Sequence, residues 1–66
     1  MQINVNGQTR TISQDLSLKA LLKELKLDPN LIAVEKNGEI ISHDLYSKVV
    51  LNNNDQLELI RFMGGG

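Results

Sequence analysis

The sequence predicts an α+β fold, a mixed sheet of four to five strands with one helix packed on one face. Three observations lead there. The chain opens with two short strand-like segments around an Asn6-Gly7 pair. It contains one clear helical stripe, Leu18, Leu21, Leu22 and Leu25. It closes with an alternating segment, Gln56 to Phe62, that runs straight into Met63-Gly64-Gly65-Gly66. A single helix covers only one side of a sheet, so the other side is left open.

Gln2-Ile3-Asn4-Val5 alternates polar and apolar side chains, as a half-buried strand does. Asn6-Gly7 is a two-residue hairpin turn, because both residues tolerate positive φ. Gln8 to Ile12 returns as the second strand. A two-residue turn sets Ile3 opposite Arg10 and Met1 opposite Ile12. Ile12 then faces the core, and Arg10 shares that face with its head group reaching out past the end of the sheet. A slip of one residue would reverse both assignments.

Ser17 is the expected N-cap of the helix, and the leucines follow at i, i+3, i+4 and i+7. Lys19, Lys23, Glu24 and Lys26 take the other side. Asp28-Pro29-Asn30 is the expected stop after about three turns, since proline cannot continue a helix. Leu31 to Glu35 is a near-continuous apolar run, suited to a central strand. Asn37-Gly38 is a second hairpin-type turn, leading to a short strand, Glu39-Ile40-Ile41. Residues 42–49 carry no regular pattern, and Asn52-Asn53-Asn54-Asp55 is a third turn cluster. One hairpin, one helix and a final strand entering a tail make the β-grasp (ubiquitin-like) arrangement. The expected division is a β-grasp domain over residues 1–63 and a flexible glycine tail over 64–66.

Composition narrows the function. The chain has 66 residues, 41% hydrophobic and 23% charged, with seven Lys+Arg against eight Asp+Glu. A domain of this size buries only about 60% of the surface its unfolded chain exposes, so its stability is modest. The net charge of −1 gives no basic footprint for nucleic acid. Tyr46 and Phe62 are the only aromatic residues, too few for a base-stacking surface. No apolar stretch approaches a membrane span, and no signal peptide is evident. Cysteine is absent, which favours a reducing, cytoplasmic setting and removes any side-chain thiol.

The tail is the chemically suggestive segment. In the last strand Leu57 and Leu59 point one way and Glu58, Ile60 and Phe62 the other. With the leucines in the core, Ile60 and Phe62 lie on the open face just before the tail. There they either form a docking patch for a partner or cover a loop such as residues 42–49. Met63 is either a further docking contact or a spacer. Three glycines reach about 10 Å, enough to thread a carboxylate into a narrow cleft. The carboxylate expected on Gly66 is a poor electrophile and needs activation, for which adenylation by ATP serves. The glycines are followed by neither a helix nor a Lys-Ser/Thr pair, so this is no phosphate-binding loop. ATP and magnesium then belong to a partner, and the chain itself binds no cofactor or metal. A linker scar or plain terminal disorder is the bland reading of the same glycines.

The opening Met1-Gln2-Ile3, the segment Val34-Glu35-Lys36-Asn37-Gly38-Glu39-Ile40-Ile41 and the ending Phe62-Met63-Gly64-Gly65-Gly66 together resemble the ThiS family of thiamine-biosynthesis sulfur carriers. The resemblance spans essentially the whole chain. It implies a protein co-substrate rather than an enzyme. Gly66 would be adenylated by a ubiquitin-activating-like enzyme and converted to a thiocarboxylate by a sulfur donor such as a cysteine desulfurase. The sulfur would then pass to thiazole synthase, with Gly64 and Gly65 threaded into the partner sites. The terminal glycine pair is shared with molybdopterin-synthase small subunits and with ubiquitin-like modifiers, which stand as alternatives. Shortness and the middle segment favour the thiamine carrier.

Other residues that invite a chemical reading have plainer ones. His43-Asp44 contains the lone histidine and no second ligand cluster. Glu35, Glu39 and Glu58 read as solvated strand positions. The helix lysines read as a solvated helix face.

Overall fold

The computed structural model describes residues 1–62. Five strands form one mixed sheet. They are β1 (Gln2–Val5), β2 (Gln8–Thr11), β3 (Ile32–Lys36), β4 (Glu39–Ile41) and β5 (Gln56–Arg61), in the spatial order β2-β1-β5-β3-β4. Helix α1 (Leu18–Glu24) follows the first hairpin, and 3₁₀ turns occupy Pro29–Leu31 and His43–Leu45. The predicted α+β class and element order hold. The last strand is the central one, parallel to β1 and antiparallel to β3.

The first hairpin has the expected register, with Ile3 opposite Arg10 and the Ile12 N–H donating to Met1 O at 2.8 Å. Both Asn-Gly turns take the positive φ values that pair of residues permits, 50° and 86° at Asn6 and Gly7, 51° and 87° at Asn37 and Gly38. Ile12 is buried, whereas Arg10 shares its face but extends into solvent at the sheet edge.

Ser17 caps α1 by accepting the Ala20 N–H. Leu18, Leu21 and Leu22 are fully buried, and Leu25 is half-buried. The helix is about two turns, not three, and it stops before Asp28-Pro29-Asn30. Lys26 sits at φ 60°, with its N–H on Lys23 O, and the Leu27 N–H donates to Leu22 O. This is a Schellman ending with lysine in the left-handed position that usually holds glycine. Leu27 then packs back onto the core.

Leu31 was expected in the strand. It closes the 3₁₀ turn that Asp28 caps, and β3 begins one residue later. The stretch without pattern contributes core: Tyr46 is buried, as is Leu51 just beyond it, with Ile3, Val5, Ile32, Val34 and Leu57. The Tyr46 hydroxyl donates to Ile32 O at 2.8 Å, which satisfies a buried phenol. Asp55, read as part of a turn, is the one buried charged side chain among the described residues. Its carboxylate accepts from Asn37 Nδ2 at 2.9 Å and from the Asn52 N–H at 2.8 Å, with Lys36 Nζ at 3.9 Å. It ties the β3–β4 turn to the start of β5.

Replacing Asp55 by Ala removes these part-buried bonds and is expected to lower unfolding stability by about 1 kcal/mol or more in urea titration. An unchanged midpoint would show that the network is not structural. Gly38→Ala, which meets no steric obstacle but keeps a positive φ, is expected to lower it by about 1 kcal/mol.

Candidate functional site

The alternation in β5 places its side chains on two surfaces. Leu57 is fully buried under α1, Leu59 is half-buried, and Ile60 and Phe62 are 51% and 55% exposed on the opposite face. Both residues are thus on the open face, as the alternation predicts. Phe62 shares a groove with Ser42, His43 and Tyr46 but keeps about half of its surface in solvent.

The register extends the patch across three strands. Ala33 on β3 lies opposite Ile60, and Ile40 on β4 lies opposite Glu35. Ile40 is 70% exposed. It was not singled out in the sequence, although the signal was there. In a three-residue strand whose Ile41 turns inward, Ile40 must turn outward. Beyond the end of β4 the sheet opens into a groove of about 510 Å³, lined by Ala33, Ile40, Ile41, His43, Tyr46 and Phe62. The Phe62 N–H donates to Leu31 O at 2.8 Å, which holds Phe62 against the edge of β3. Several large apolar side chains together on one open face are a contact surface rather than scattered exposure.

Polar residues bound the patch. Glu35 and Glu58 are register partners on the open face. Their strand spacing concealed this juxtaposition. Like charges directly across a ladder are unfavourable, so they add nothing to fold stability. The β1–β2 half of the same face carries only Gln2, Asn4, Thr9 and Thr11.

Met63, Gly64, Gly65 and Gly66, the other sequence-expected site residues, lie outside the described residues. Phe62 is the last position before them.

Of the remaining candidates His43 lines the groove, whereas Asp44 and the helix lysines lie beyond it. The His43 ring lies 5.0 Å from that of Tyr46, tilted by 56°. The Ser42 hydroxyl and the Asp44 backbone N–H hold the Asp44 carboxylate below its ordinary pKa. Among the described residues no group of three or more His, Cys, Asp or Glu is placed to hold a metal. Lys19 and Lys23 border a separate depression of about 360 Å³ with His43 and Asp44. No helix among the described residues is long and apolar enough to cross a membrane.

Comparison with known proteins agrees with the fold. The model of the ThiS family matches residues 3–66. A crystal structure of a thiamine biosynthesis protein (ThiS) from Geobacter metallireducens superposes with a TM-score of 0.86 at 32% identity, covering all of both chains. The sulfur carrier protein ThiS of Bacillus subtilis is 32% identical over 65 residues, spanning 97% of this chain and 98% of that protein. A thiazole synthase of Paramagnetospirillum magneticum is 41% identical over all 66 residues. The chain spans only 20% of that relative's length.

Because one face of β5 supports the core and the other does not, substitutions on the two faces should differ. Ile60→Ala and Phe62→Ala are each expected to lower stability by no more than about 1 kcal/mol. Leu57→Ala should lower it by about 3 kcal/mol. Equal losses by thermal or urea unfolding would mean that the open face carries structural load.

Proposed function

The chain belongs to the ThiS family, and on that footing we propose that it is a sulfur carrier for thiazole formation in thiamine biosynthesis. The carrying observation is the exposed apolar face of Ile40, Ile60 and Phe62, which ends where the glycine segment begins. That surface gives an enzyme a place to hold the domain while the tail enters its active site. Met63 extends the contact, and Gly64 and Gly65 present no Cβ to a narrow cleft.

Gly66 is the attachment point. Its carboxylate oxygen attacks the α-phosphorus of ATP on an adenylating partner and expels pyrophosphate. A persulfide sulfur, from a donor such as a cysteine desulfurase, attacks the acyl carbon of the mixed anhydride and expels AMP. A thiol then reduces the acyl disulfide, leaving a thiocarboxylate on Gly66. Thiazole synthase takes that sulfur. The thiazole synthases among the relatives support this acceptor, since each contains a region similar to the whole of this chain. The chain has no cysteine on which to carry sulfur otherwise. ATP and magnesium belong to the partner. The chain acts as a protein co-substrate rather than as a catalyst, in the cytoplasm.

Incubation with ATP, magnesium, the adenylating enzyme, a persulfide donor and a thiol reductant is expected to raise the intact mass by about 16 Da, the exchange of one oxygen for sulfur. A branched adduct on lysine would instead indicate a conjugated modifier, and an unchanged mass would contradict the carrier reading. Deleting Gly65 and Gly66 is expected to abolish the shift without altering the unfolding midpoint. Phe62→Ala should weaken binding to the adenylating enzyme by roughly tenfold or more, as loss of an aromatic anchor does. An unchanged Kd would remove Phe62 from the interface.

A further inference from the structure

β1 ends at Val5, opposite Leu57, and the chain then turns away through Asn6 and Gly7. β5 continues past that point. The Asn6 N–H donates to Leu57 O at 2.9 Å, the last backbone bond from β1 to β5. At Leu59 the backbone N–H and C=O face the side that β1 has left. The Asn6 side chain fills that side. Its Oδ1 accepts the Leu59 N–H at 2.7 Å, and its Nδ2 donates to Leu59 O at 3.3 Å. One primary amide thus reproduces the donor and acceptor of an absent strand residue.

We infer that Asn6 is a positioning residue for the tail, clamping β5 at Leu59 and fixing the direction in which the chain leaves the sheet towards Gly66. The inference rests on the carrier reading above. Asn6 is exposed, and water would satisfy Leu59 if the amide were removed. What the amide supplies is direction: β3 holds the far end of β5 from one side, up to Phe62, and Asn6 holds it from the other.

The fold contains its own control. Asn37, in the second Asn-Gly turn, also has positive φ and also bonds β5 through its side chain. Its Oδ1 accepts the Gln56 N–H at 2.9 Å, at the opposite end of the strand from the tail, and its Nδ2 serves buried Asp55. Asn37→Gly and Asn6→Gly both keep the turn conformation and delete a clamp. The first removes a partner from a buried carboxylate, so it is the more disruptive to the fold.

The test is steady-state adenylation with the carrier as varied substrate, measured as pyrophosphate release by the adenylating enzyme. A partly unfolded carrier is a diluted substrate, which raises apparent KM and leaves kcat unchanged. A misdirected tail on a docked carrier lowers kcat, because reacting atoms must be closely aligned. Asn6→Gly is expected to lower kcat about tenfold with KM within about twofold, whereas Asn37→Gly leaves kcat unchanged. Asn6→Asp keeps the acceptor for the Leu59 N–H and is expected to recover part of kcat. A wild-type kcat in Asn6→Gly, or an equal fall in Asn37→Gly, overturns the assignment. Backbone ¹⁵N relaxation from Leu59 to Phe62 gives a readout independent of activity. Loosening is expected in Asn6→Gly only, and unchanged relaxation overturns the clamp. If the wild-type chain forms no adenylate, the carrier reading itself fails, and relaxation alone decides whether Asn6 holds β5.

Discussion

The rest of the molecule depends on where the last strand goes. β5 lies in the middle of the sheet, between β1 and β3, so the end of the chain completes the core begun by the first strand. A central strand must be paired on both sides, and its pairing with β1 closes a loop of most of the chain's length. Leu57 fills the core under α1, and Asp55, Asn37 and Asn6 fix the strand's start and its far end through side-chain bonds. Side chains from both Asn-Gly turns thus bond the backbone of one strand of six residues. In the sequence the glycine segment follows this strand, which is paired on both sides.

The same strand divides the molecule into two surfaces. The α1 face is a packed core of leucine, isoleucine and valine. Among the described residues the open face has no second layer, and its apolar half is made from β5, β3 and β4. In a chain of 66 residues there is little apolar surface to spare, so leaving Ile40, Ile60 and Phe62 in water is a cost that binding can recover. The Glu35–Glu58 pair adds to that cost rather than offsetting it. This ThiS-family domain thus has one packed face and one open face with an apolar half.

Much of this was legible in the sequence, and the reasons differ by element. The Asn-Gly turns set the hairpin register, because a two-residue loop leaves one pairing. Ser17 and the leucine spacing marked the start of α1 and its buried stripe. Period-two alternation in Gln56–Phe62 separated Leu57 from Ile60 and Phe62. The end of α1 was hidden because its left-handed residue is Lys26, while Pro29 offered a stronger but later stop signal. Asp55 looked like a turn residue, since a buried carboxylate is identified by partners distant in sequence, here Asn37 and Lys36. Tyr46 and Leu51 escaped notice because they reach the core from irregular backbone with no period to read. Asn6 was recognised as a turn former, but its bond to Leu59 spans 53 positions, and no local pattern records it.

The central claim is that the open face and the tail together form the surface that an adenylating partner reads, with α1 turned away. Titrating ¹⁵N-labelled carrier with that enzyme and following amide shifts tests it most directly. Perturbation is expected at Ala33, Ile40, Ile60, Phe62 and the glycines, with Leu18 to Glu24 unmoved. Perturbation centred on Lys19 and Lys23, with Ile60 and Phe62 unaffected, would contradict it.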